Sequence, residues 1–194
     1  MAEAIKRFDA VIIGPGSFFT SIMPPLLVRG VKEALASVEG PVILIANLLT
    51  EGSGMAGFTA ADAARWVSRA IERPVDVVIA NTGRPAKETL MRYAAEQKVP
   101  LDLGALDDRV ELVTGPFWNT AIARHDRRRL SFAVWSVLSD RLLGGNKEPQ
   151  VHEVHEVQRV QQVQEVLFNG FGAVQGVQRG AEPCELVNPA NEAF

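Results

Sequence analysis

Three short apolar runs, each closed by a glycine or asparagine turn and each followed by a helix-like stretch, constrain this chain more than any other feature. Ala10–Ile13 ends on Gly14-Pro15-Gly16, Val42–Ala46 ends on Asn47, and Val75–Ala80 ends on Asn81-Thr82-Gly83. Short β-branched runs bounded by turn residues read as buried strands. The segments between them carry helix signals. Pro24-Pro25 suits a helix start, so a helix is expected over Pro25–Ser37, with a start as early as Ser17–Ser21. Thr59-Ala-Ala-Asp62 is a capping-box start for a helix to about Glu72, stopped by Pro74. A further helix is expected over Ala86–Gln97, a weaker strand over Val110–Thr114, and a closing helix over Arg127–Leu143 capped by Asp126, with Phe132, Trp135 and Leu138 or Ser139 near one face. Strands alternating with helices give an α/β fold with a mostly parallel sheet, whose ligands bind at the carboxyl ends of the strands.

The composition is that of a globular protein: 194 residues, 47% hydrophobic and 22% charged. A net charge of −3 gives no electrostatic footprint for nucleic acid. The amino end lacks the apolar core of a signal peptide, and no run of about 18 apolar residues offers a membrane span. The single cysteine, Cys184, forms no internal disulfide, so a reducing, cytoplasmic location is expected.

Gly144-Gly145 divides the chain into residues 1–145, the strand–helix domain, and residues 146–194, a tail. In the tail Val151, Val154, Val157, Val160, Val163 and Val166 recur every third residue. Three residues turn an α-helix by about 300°, so these valines drift around it, and period three fits no strand. The tail reads as low-complexity and disordered or partly helical. His152 and His155 lack further metal ligands at useful spacing.

The strongest chemical signal is Asp9–Ile22. A strand leads into Gly14 and Gly16, then Ser17, Thr20 and Ser21. Glycines let main-chain amides approach an anion, and hydroxyls and a helix start add donors. The dinucleotide fingerprint is incomplete, because Phe19 holds its third glycine position. A tight turn that binds nothing is the competing reading. Asn47 and Thr50 at the next strand end suit a base, sugar or phosphate, or else loop capping. Arg124-His125-Asp126 precedes Arg127-Arg128-Arg129, where arginine suits a diphosphate and a solvated charged face is the commoner role. No catalytic triad and no metal-ligand cluster is identifiable. Asp62, Asp107 and Asp108 read as capping or loop residues.

In order, Gly14-Pro-Gly-Ser-Phe-Phe-Thr-Ser-Ile22, Leu26–Leu35, Asn47-Leu-Leu-Thr50, Gly57–Asp62, Asn81-Thr-Gly83, Arg92–Glu96 and Arg124-His-Asp126 resemble the family of 2-phospho-L-lactate transferase and the gluconeogenesis factor (CofD-like and YvcK-like proteins). The similarity runs from about Asp9 to Leu143 and is nearer to the gluconeogenesis-factor branch. It implies a Rossmann-like three-layer sandwich and a UDP-sugar-binding regulator of carbon metabolism and cell shape. The alternative it implies is a transferase that moves phospholactate onto a deazaflavin precursor. The catalytic acids of such an enzyme are not identifiable, and only that reading calls for a cofactor, magnesium. Ligand contacts implied by matching position are Gly14, Gly16, Ser17, Thr20, Ser21, Asn47, Thr50, Tyr93 and Arg124. The family's opening Gly-Gly-Gly-Thr-Gly loop and Asp-Asp-Gly-Gly segment have no counterpart here, so the domain is expected to be truncated at its amino end. The first half would then come from another chain, or the exposed sheet edge would pair in a homo-oligomer, or the chain is an inactive fragment needing a partner half.

Overall fold

The computed structural model describes residues 2–119 and 122–144, all within one compact unit, Met1–Val154. The valine-repeat tail with His152, His155 and Cys184 lies outside the described residues. After a short helix, α1 (Ala2–Ile5), four strands follow: β1 (Val11–Ile13), β2 (Val42–Ile45), β3 (Val77–Asn81) and β4 (Glu111–Gly115). They form one parallel sheet in the order β1-β2-β3-β4. Parallel neighbours need a crossover between them, and the helical segments of the sequence supply it. The fold class is the α/β one that the strand–helix alternation predicts.

The register sorts the strand residues into two faces. Ile13, Val42, Leu44, Val78 and Ala80 face a core shared with helix α4 (Ala60–Ile71), through Ala60, Ala63, Ala64, Val67 and Ile71. Ile43, Ile45, Val77 and Ile79 face α6 (Arg127–Leu143). Residues of β2 and β3 up to Ala80 are therefore buried on both sides, which is why these runs are continuously apolar. Among the described residues β1 pairs with β2 alone. Its Ile12, in register with the fully buried Ile43, is 44% exposed.

Helix α4 starts as its sequence directs. The Thr59 hydroxyl accepts from the Asp62 amide, the Asp62 carboxylate accepts from the Thr59 amide, and both caps are satisfied. Such a cap contributes about 1 kcal/mol. Asp126 caps α6 by accepting from the Arg129 amide. Helix α5 is shorter than expected, Lys87–Ala94.

Two expectations are corrected. The helix expected over Pro25–Ser37 is broken. A π-helical turn, Phe18–Ile22, runs into α2 (Met23–Leu26), and α3 (Val31–Ala36) begins only after Gly30 at φ 85°. Pro24 and Pro25 lack amide donors, and a left-handed residue cannot continue a right-handed helix. On α6 the packed face is Leu130, Ala133, Val134, Val137 and Leu138, an i, i+3, i+4, i+7, i+8 stripe. Phe132 and Trp135 lie off that stripe and are exposed.

Candidate functional site

The carboxyl ends of β1 and β2 meet in a small polar cluster. The β1 turn needs glycine where the sequence has it. Gly14 adopts φ +83°, and a β-carbon there would stand 2.9 Å from the Ile45 carbonyl oxygen. Phe19, in the place of a third glycine, lies against Phe58 and Trp66 at ring-centre distances of 6.3 and 6.2 Å, and Phe18 packs on Phe58 at 5.0 Å. Aromatic contact with α4 and the loop before it thus fixes this turn.

The amides expected to converge on an anion converge on protein groups. The Gly16 amide donates to Asn47 Oδ1 at 3.3 Å. The Phe18 amide donates to Glu51 Oε1 at 2.6 Å, and Asn47 Nδ2 donates to the same oxygen at 3.1 Å. Ser17 Oγ donates to Glu51 Oε2 at 2.8 Å and accepts from Thr20 Oγ1 at 2.6 Å. Glu51 is the site residue that sequence reasoning missed. It lies 33 residues from Phe18 and reads locally as the start of a glycine-rich loop, so nothing in the local pattern signals the contact.

The other candidates divide. Thr50 is buried and spent on structure: its amide donates to the Val99 carbonyl at 2.8 Å and its hydroxyl accepts from the Val99 amide at 3.1 Å. Ser21 is exposed, its amide donating to the Ser17 carbonyl within the turn. Tyr93, on α5, accepts at its phenol oxygen from the Ala123 amide at 3.1 Å, so it positions the backbone beside Arg124. His125 reaches the end of β2. Its Nε2 donates to the Ala46 carbonyl oxygen at 3.2 Å, the acceptor fixing the tautomer. Arg124 is exposed, and its guanidinium bonds to none of the described residues. Asn81 closes on its own turn, with Nδ2 donating to the Gly83 carbonyl and Oδ1 accepting from the Gly83 amide.

Burial of His125 disfavours its charged form and lowers its pKa below the usual 6.5, the bond to Ala46 opposing this more weakly. The unfolded chain therefore binds a proton more readily than the folded one. His125 contributes fully to stability above about pH 6.5 and progressively less as pH falls below it. Urea midpoints of the wild type should fall between pH 7 and pH 5 more steeply than those of His125→Gln; identical slopes would remove this role.

Cavity sizes limit where a ligand can lie. Beneath the turn, Phe18, Ile22, Ala46, Asn47 and Met55 enclose only about 10 Å³, room for one water. That space is too small for a nucleotide. A groove of about 620 Å³ lies between α4 and residues 105–110, toward the start of the strands. Three of its four arginines are already paired: Arg65 with Asp62, Arg73 with Asp76, and Arg109 with Asp107, whose carboxyl it lowers to about 2. Among the described residues no three His, Cys, Asp or Glu side chains gather to hold a metal.

Residues 1–118 match the family model described as 2-phospho-L-lactate transferase CofD. The chain belongs to the CofD family. It is 34% identical over 127 residues to the "Putative gluconeogenesis factor" of Thermotoga maritima, covering 66% of this chain and 40% of that protein. It is 33% identical over 100 residues to the "Gluconeogenesis factor" of Halalkalibacterium halodurans, covering 51% of this chain and 31% of that protein. A crystal structure of a UPF0052-family protein from Bacillus halodurans superposes with a TM-score of 0.61 at 27% identity, over 69% of this chain and 45% of that one. This CofD-family chain spans less than half the length of these relatives. Among its described residues no helix is long and apolar enough to cross a membrane.

Proposed function

We propose that this CofD-family chain binds a nucleotide sugar, of the UDP-sugar class, across the carboxyl ends of β1 and β2, and acts as a regulator of the gluconeogenesis-factor type. That type is linked to carbon metabolism and cell shape. One observation carries the reading. Asn47 ties the glycine turn of β1 to the end of β2, and His125 caps that same strand end, while the guanidinium of the neighbouring Arg124 bonds to none of the described residues. A forked, permanently charged donor next in sequence to a residue bound at a strand end suits a diphosphate. Tyr93 serves this arrangement by holding the Ala123 amide, and through it the backbone next to Arg124.

The relatives named gluconeogenesis factor support the regulatory reading. The family model's description favours a second one, a phospholactate transferase, and an assay for the phospholactylated deazaflavin product in the presence of magnesium tests it. For the first reading, calorimetric titration with UDP-N-acetylglucosamine should give saturable heat. Arg124→Ala should weaken binding about tenfold or more, the loss of one charge-assisted phosphate contact. A folded wild-type sample that gives no heat would count against the site. Unchanged affinity in Arg124→Ala would remove Arg124 from it.

A further inference from the structure

The donors at the β1 turn are already occupied, by a carboxylate of the same chain. Glu51 receives the Phe18 amide at 2.6 Å and Asn47 Nδ2 at 3.1 Å on one oxygen, and the Ser17 hydroxyl at 2.8 Å on the other. Donors from β1's turn and from β2's end thus converge on one negative group. Hydrogen bonds to a charged acceptor are the strong kind. A phosphoryl oxygen arriving at this turn would need the same amide and hydroxyl, and it would meet a like charge within a few ångströms.

The loop around Glu51 has a fixed point on one side and a sharp glycine turn on the other. Thr50, on one side, is clamped to Val99 by two hydrogen bonds. Gly52, on the other, sits at φ +80°. Glycine adopts that conformation at no steric cost, so the chain turns sharply directly after Glu51. Glu51 itself is only half-buried, so the carboxylate can move into water at modest cost.

We propose that Glu51 is an internal anion that closes the β1 turn, and that a nucleoside diphosphate gains the Phe18 and Ser17 donors only by displacing it. This rests on the nucleotide-sugar reading above and adds its regulation. Affinity is set by the fraction of molecules in which Glu51 has withdrawn, because binding is weakened in proportion to that fraction. Removing the charge removes the competitor.

The test compares wild type, Glu51→Gln and Glu51→Ala in calorimetric titrations with UDP-N-acetylglucosamine, and with uridine as a ligand lacking phosphate. Glu51→Gln keeps an oxygen acceptor for the Phe18 amide and so guards against collapse of the loop; circular dichroism melts establish folding. Both variants should bind the diphosphate about tenfold more tightly than wild type, with uridine unchanged. Saturation of both variants at about a tenth of the ligand concentration that wild type needs would support the proposal most directly. Wild-type binding with equal or weaker binding in Glu51→Gln would make Glu51 a loop anchor and overturn the proposal while sparing the site. Silence in all three would overturn both.

Discussion

Gly40→Ala should destabilise the domain by about 3 kcal/mol or more, at the upper end of what overpacking costs. A β-carbon at residue 40 would stand 1.7 Å from the Asp9 carbonyl oxygen, 2.4 Å from the Asp9 carbonyl carbon and 3.1 Å from the Ala10 nitrogen. All three are backbone atoms, so no side chain can rotate away. The backbone cannot yield cheaply either. The Val11 amide donates to the Pro41 carbonyl at 2.9 Å, the contact that leads into the Val11–Val42 register of β1 on β2. Pulling the segments apart breaks that ladder at its first rung. Urea unfolding followed by circular dichroism reads the loss as a lower midpoint with an unchanged slope. Gly54→Ala is the control. A β-carbon there meets nothing within 4 Å, so its effect should stay within about 0.5 kcal/mol. Equal losses in the two variants would refute the steric account.

Much of this fold is legible because its signals are local. The continuous apolar runs of β2 and β3 follow from burial on both faces, and the Thr59–Asp62 cap needs only four residues. The α6 boundaries were equally legible through Asp126, but its buried face was not. Phe132 and Trp135 drew the reading to the wrong side, although size does not decide burial and the aliphatic spacing of Leu130, Ala133, Val134 and Val137 does. The break between α2 and α3 depends on Gly30 adopting a positive φ, and a glycine alone does not announce that. In the site, the strand-end position of Gly14, Gly16 and Asn47 was readable from the turn signals. The capture of the Phe18 amide by Glu51 was not, because a contact across 33 residues leaves no trace in either local pattern. Thr50 shows the converse. Its residue type suits a ligand or a loop clamp, and its two bonds to Val99 are not written in the local sequence.

Asp76→Ala should cost about 2 to 3 kcal/mol, because it strands a buried donor and dissolves a knot at the start of two strands. Asp76 Oδ2 accepts from the Val42 amide at 2.7 Å and from Arg73 Nη2 at 3.1 Å. The same guanidinium donates to the Gly40 carbonyl at 2.8 Å and to the Val38 carbonyl. In return, the Asp76 amide donates to the Val42 carbonyl at 2.9 Å, and the Asp76 carbonyl accepts from the Glu111 amide at 3.0 Å. One residue therefore links the beginnings of β2, β3 and β4. Val42 is fully buried, and its amide loses its hydrogen-bond acceptor when the carboxylate goes. Asp76→Asn separates the two contributions. It keeps an oxygen for the Val42 amide and loses only the charge facing Arg73, so it should cost about 1 kcal/mol. The stranded amide, rather than the ion pair, then accounts for most of the alanine effect. Hydrogen exchange at Val42 gives an independent reading, since the amide should lose protection in Asp76→Ala and keep most of it in Asp76→Asn. Equal losses of stability in the two variants would assign the effect to the ion pair with Arg73 instead.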